Sequence, residues 1–306
     1  MLAYIVKRFF QTLLALFILS IIIFLLAHLT GDPLHLILPP YALPEDYERV
    51  RIQLGLDKPL YVQYAKFIGN AIQGDFGVSF RTKEPIMDLM MERLPNSLSL
   101  AGAAMVVIFL FAVPLGILAA VKKGTWIDTL SKVIAVLGQS VPAFWVGILF
   151  IEFFSVRLGL LPTSGMGGPE HYILPAVTLG LWTLAGVMRL LRSSMLEVLD
   201  SDFVRLAYSK GASGSRVIWK HALRNALIPV VTFSGVYFAV IITMSIVVEV
   251  VFTWPGIGRL VYDAILFRDY PMIQAVVLMF SVIVMMVNLG VDILYGFIDP
   301  RIRYGK

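Results

Sequence analysis

Cysteine is absent from the 306 residues. Its absence excludes disulfides, thiolate nucleophiles and cysteine metal sites, and it leaves the redox compartment open. Charge is also scarce. Asp, Glu, Lys and Arg make up 15% of the chain and hydrophobic residues 58%. A soluble domain carries about 25% charge. Several chemical signatures are missing too. There is no Gly-x-x-x-x-Gly-Lys-Ser/Thr phosphate loop, which excludes ATP binding by that route. No Gly-x-Ser-x-Gly nucleophile turn occurs. The histidines (His28, His35, His171, His221) show no His-x-x-x-His spacing. On sequence the chain is not an enzyme and carries no cofactor or metal site.

What is present is long apolar sequence. Segments near Phe9–Leu29, Leu98–Val121, Ile134–Phe154, Ile173–Leu191, Ile228–Phe252 and Ile273–Ile298 are long enough to span. A helix rises 1.5 Å per residue, so about 20 residues cross a hydrocarbon core of about 30 Å. The expectation is an all-α polytopic membrane protein with about six transmembrane helices. Lys7 and Arg8 before the first run mimic a secretory signal. However, the run is about 21 residues against about 7–15 for a signal peptide, and no small-residue cleavage site follows. It is read as an uncleaved span. Pro114, Pro142, Pro175 and Pro229 fall in or near spans. They mark either ordinary membrane-helix proline or helices bent around a pathway.

The net charge of +5 sits mostly on one side of this topology. Lys7, Arg8, Lys122, Lys123, Lys132, Arg192, Arg205, Lys210, Arg216, Lys220, Arg224, Arg301, Arg303 and Lys306 share that side. Short loops opposite hold Arg157, Arg259 and Arg268. The positive-inside rule places both termini in the cytoplasm, and basic membrane loops account for the charge without a nucleic-acid partner. The organisation expected is a cytoplasmic N-terminus and first helix (1–30), an extracytoplasmic segment (31–96), and a five-helix core (97–306) with a polar stretch at 200–226. In the external segment, "LPEDYERVRIQLGL" and "LYVQYAKFIGNAIQ" have helical spacing. The second has Leu60, Tyr64, Phe67, Ile68 and Ala71 near one face.

The stretch "FVRLAYSKGASGSRVIWKHALRNALIP" over Phe203–Pro229 is basic, yet it has apolar residues at helical spacing on either side of "GASG". One reading is an ordinary positive loop attracting anionic lipid. The other is a short helical hairpin, too small to bury a core of its own, that packs on the membrane helices or on a partner. Ala207 and Gly211 leave a strip where another backbone can approach.

This stretch resembles the cytoplasmic coupling motif of inner-membrane permease subunits of binding-protein-dependent ABC importers. More narrowly, it is similar to the dipeptide/oligopeptide/nickel branch, which includes glutathione permeases. "LGLDKPLYVQY", "QGDFGVSF", "SIVVEVVFTWPGIGRLVYDAILFRDYPMIQA" and "VDILYGFIDPRIRY" carry the same resemblance in the same order. Where the wider family has Glu-Ala-Ala, this chain has Arg205-Leu206-Ala207, with Gly211 at the glycine. Where the wider family has Leu-Pro after the second helix, Leu223 is followed by Arg224. The resemblance implies a permease in a bacterial cytoplasmic (inner) membrane. Its partners would be membrane lipid, a homologous second permease, two ATP-binding subunits and an extracytoplasmic solute-binding protein. Arg205, Ala207, Lys210, Gly211, Ala212 and Arg216 would contact the ATPase. An autonomous channel or ion-coupled carrier is the alternative; it predicts transport by the chain alone.

Charge within lipid is costly, so ionisable groups in or near spans are pathway candidates. Glu249, Glu152 and Asp292 are those candidates, each with a helix-end anchor or ion pair as the plainer role. Arg301 or Arg189 is the expected partner of Asp292.

Overall fold

The computed structural model describes residues 2–29, 34, 38 and 41–298. Among them the regular structure is helical, apart from one isolated antiparallel bridge between Val78 and Pro85. In chain order the helices are α1 (Leu2–Leu29), α2 (Pro44–Leu54), α3 (Leu60–Ile72), α4 (Ile86–Val121), α5 (Trp126–Ser140) and α6 (Ala143–Arg157). They continue with α7 (Glu170–Leu199), α8 (Asp202–Ser209), α9 (Gly214–Val251), α10 (Ile257–Leu266) and α11 (Tyr270–Ile298). The last turns of α6 (Ile151–Arg157) and an early turn of α9 (Val217–Ala222) are π-helical. Helices α1, α4, α7, α9 and α11 are long and apolar enough to cross a membrane; α5 and α6, bent at their junction, make a sixth, broken span or a re-entrant loop. The chain is an all-α polytopic membrane protein.

The structure corrects two expectations. The third span is not one rod over Ile134–Phe154, because α5 and α6 meet at 105°. Pro142 has no N–H, and its ring disfavours the helical region for the residue before it. Val141 is accordingly extended, at φ −96° and ψ 129°. By contrast, Pro114, Pro175 and Pro229 lie inside uninterrupted helices. The predicted hairpin also differs. Its first helix forms as α8, but its second is simply the start of α9, continuous with the fifth span.

The chain divides into two compact units: residues 1–96 with 255–286, and residues 97–254 with 287–306. In the first, Pro44 opens α2 and Glu45 and Asp46 follow in its first turn, where acidic groups suit the helix dipole. Gly55, at φ +75°, closes that helix in the left-handed conformation. Helix α3 lies on α1. Tyr64 and Ser20 share a hydroxyl hydrogen bond of 2.8 Å. Phe24 packs on Tyr64 and Phe67, with ring centroids 5.4 and 5.8 Å apart. Leu60, expected on this face, is exposed instead. The turn after α3 is held by buried Asp269, whose carboxylate accepts from the Ser79 hydroxyl (2.5 Å) and the Phe80 N–H (3.1 Å). Arg81 then stacks over Phe267 at 3.8 Å.

In the second unit α7 is the central helix, with buried residues from Leu174 to Met195. Small residues let neighbouring backbones come close, as in other membrane bundles. A Cβ built on Gly180 would lie 3.3 Å from the Ala104 carbonyl oxygen of α4. One built on Gly138 of α5 would lie 3.2 Å from the Cβ of Ala185.

Candidate functional site

Helix α8 is eight residues of mixed character. Val204 alone is buried, while Phe203, Leu206 and Tyr208 are each about half exposed. Arg205 lies over the start of the helix, 3.0 Å from Asp200 and 3.6 Å from Asp202. Such exposed pairs contribute little stability; here they neutralise a basic side chain at an acidic helix end. Gly211 stops the helix at φ +82°, its N–H donating to the Tyr208 carbonyl at 2.9 Å. A Cβ there would have nothing within 4 Å. The glycine therefore serves the left-handed turn, and the space above it is open. Ala207 and Ala212 are half-buried, joined by a 3.2 Å backbone hydrogen bond; Lys210 and Arg216 are exposed.

The break between α5 and α6 opens a cavity of about 510 Å³ against α7 and α9. That volume falls within the range of small-molecule sites, about 300–1,000 Å³. Phe144, Trp182 and Met244 supply apolar wall; Gln139, Ser140 and Thr178 supply neutral polar groups; among the described residues no charged side chain lines it. Thr178 is buried and its Oγ1 has no hydrogen-bond partner. A hydroxyl in that state is under-used in the resting protein. Thr178→Val is therefore expected to leave thermal stability within about 1 kcal/mol of the parent. Gln139, Ser140 and Thr178 were missed in the sequence, although polar Gln139 and Ser140 just upstream of Pro142 were a signal for an interrupted span.

The three candidate acids occupy different settings. Glu249, two residues before the end of α9, is fully buried, and its Oε1 accepts from the hydroxyls of Ser97 (2.7 Å) and Ser245 (2.8 Å). Glu152 is exposed on the π-helical turn of α6, paired with Arg157 at 3.0 Å. Asp292 is half-buried near the end of α11, and Arg189 is exposed on α7. Arg301, the other expected partner, lies outside the described residues. None of the three acids lines the cavity.

Residues 112–304 match the family described as binding-protein-dependent transport system inner membrane component, and residues 1–101 match its N-terminal counterpart. The chain belongs to this family. The glutathione transport system permease protein GsiC of Escherichia coli (strain K12) is 48% identical over 305 residues, 99% of this chain and 100% of the relative. GsiC of Shigella flexneri serotype 5b (strain 8401) gives the same identity and coverage. Among solved structures, an inward-facing MetNI methionine ABC transporter matches with a TM-score of 0.60 at 18% identity, over 71% of this chain and 99% of that one. An amino acid ABC transporter solved with histidines matches with a TM-score of 0.55 at 15% identity, over 68% and 93%. The chain is thus a permease subunit of an ABC importer.

The permease holds one further charged cluster that the sequence did not single out. Asp128, in the first turn of α5, is 2% exposed. Arg192 of α7 donates to it through Nε (2.7 Å) and Nη2 (3.0 Å). Lys132 Nζ lies 3.1 Å away, and the Gly124 N–H donates at 3.1 Å.

Proposed function

We propose that this permease is one of two transmembrane subunits of an ATP-driven importer for peptides or similar small solutes. Dipeptides, oligopeptides, glutathione and nickel chelates make up that class. The 48% identity to a permease named for glutathione transport supports it, as does a cavity whose neutral hydrogen-bonding groups and apolar walls suit amide-rich solutes. A homologous second permease completes the pathway, two ATP-binding subunits drive it, and an extracytoplasmic solute-binding protein delivers the cargo. The distribution of Lys and Arg supports a bacterial inner-membrane orientation with both termini cytoplasmic. Residues 31–96 then lie outside, and 200–226 couple to the ATPase.

The observation that carries this reading is α8. It is a short ordered helix with exposed Phe203, Leu206 and Tyr208, joined directly to two spans that wall the cavity. A rigid helix transmits displacement where a loose loop would not. Arg205, Lys210 and Arg216 provide polar contacts beside the open strip at Ala207, Gly211 and Ala212. The test is reconstitution of the permease in proteoliposomes with its partner subunits, followed by uptake of labelled dipeptide and glutathione. Accumulation is expected only with ATP and the binding protein. Transport by the permease alone, without ATP, would overturn the reading in favour of a channel or carrier. Deleting Pro44–Ile72 is expected to abolish uptake while ATPase subunits still co-purify; loss of both would show misfolding of the deletion variant.

A further inference from the structure

We infer that the buried Asp128–Arg192 pair is a strut that makes α5 and α7 move as one body, so that displacement of α8 reaches the break at Pro142. The inference rests on the coupling role proposed for α8 and names the residues that carry its motion onward.

Three observations place the strut. First, Arg192 lies about two helical turns before the end of α7, and α8 begins three residues after that end. A force on α8 therefore acts first on this part of α7. Second, the pair is a two-pronged ion pair on a carboxylate that is almost fully buried. Arg–carboxylate forks fix direction as well as distance. The Gly124 N–H holds the same carboxylate from the turn before α5, so the turn, α5 and α7 share one anchor. Third, α5 is tied to α7 again near its far end, where Gly138 meets Ala185 and Leu181. From Asp128 to Gly138 is about 15 Å of helix. Two ties that far apart prevent α5 from pivoting freely on α7. The residues that follow the second tie, Gln139, Ser140 and Pro142, line the cavity. The pair does not line the cavity; it is a positioning pair.

The test uses the complete reconstituted importer and compares Asp128→Asn, Arg192→Gln and the double variant. Solute imported per ATP hydrolysed is the readout, because a merely structural role would lower both quantities together. Asp128→Asn leaves the half-buried Arg192 without its carboxylate, and Arg192→Gln leaves the buried carboxylate with Lys132 alone, so each hinders assembly; the double variant removes the pair's charges and keeps two neutral amides. The double variant is expected to assemble and hydrolyse ATP at the parent rate, while uptake per ATP falls about tenfold. A parental ratio in the double variant would overturn the inference, as would its failure to assemble, which assigns the pair to folding alone. Absence of ATP-dependent uptake in the unmodified importer would instead refute the function proposed above.

Discussion

Gly211→Trp is expected to abolish uptake and to release the ATP-binding subunits, while the permease still inserts. The expectation comes from two separate properties of one position. Gly211 adopts φ +82°, so any L-residue there carries a backbone cost of about 1–2 kcal/mol. The position is also open, with nothing within 4 Å of a built Cβ. A side chain there starts into open space, so an indole projects toward whatever docks on the strip beside Ala207. Gly211→Ala carries the same backbone cost without the bulk. Uptake by the alanine variant should fall only modestly. The tryptophan variant should fall about a hundredfold or more, the scale of losing a buried contact patch. Co-purification of ATPase subunits with tagged permease checks the cause. Equal behaviour of the two variants would show that the turn matters and the open strip does not.

Glu249→Leu has the second large effect. The carboxyl oxygen that accepts from Ser97 and Ser245 joins α4 to α9 in a fully buried setting. Leucine removes both hydrogen bonds and leaves hydroxyls facing an apolar side chain. The expected loss is about 2–4 kcal/mol of stability, read as a lower Tm of the purified permease, with uptake abolished. Glu249→Gln keeps an acceptor oxygen at the same place, so its Tm should stay close to the parent. Its transport separates the two roles. An anchor predicts normal ATP-dependent uptake in the glutamine variant. A gate predicts solute leak without ATP from a well-folded protein.

The apolar runs showed the spans because their length and lack of charge are local properties of the chain. The first helix of the polar stretch was equally legible: apolar positions at helical spacing end at a glycine, and the structure places the left-handed turn there. Pro142 was harder. Four prolines gave the same local signal, and three of them lie in unbroken helices. What distinguishes Pro142 is the wall opposite it, where α7 and α9 accept a 105° bend and leave a cavity, and that is a property of packing. Asp128 and Arg192 are 64 positions apart, so no local pattern joins them. Each reads alone as a helix-end charge. Glu249 was singled out as an acid near a span end, but Ser97 and Ser245 gave no sign that they would enclose it. The continuity of the second hairpin helix with the fifth span was hidden by its polar composition, which reads as loop until its backbone is followed.

That continuity has a mechanical side. Helix α9 has 38 residues, a length of about 57 Å, whereas the hydrocarbon layer is about 30 Å thick. It is longer than that layer by more than half, with Gly214 beside α8 at one end and Glu249 near the other. A tilt of about 10° around its midpoint would swing each tip by roughly 5 Å in opposite senses. Under the coupling role proposed for 200–226, a push there and a shift at the buried acid would be two ends of one rotation.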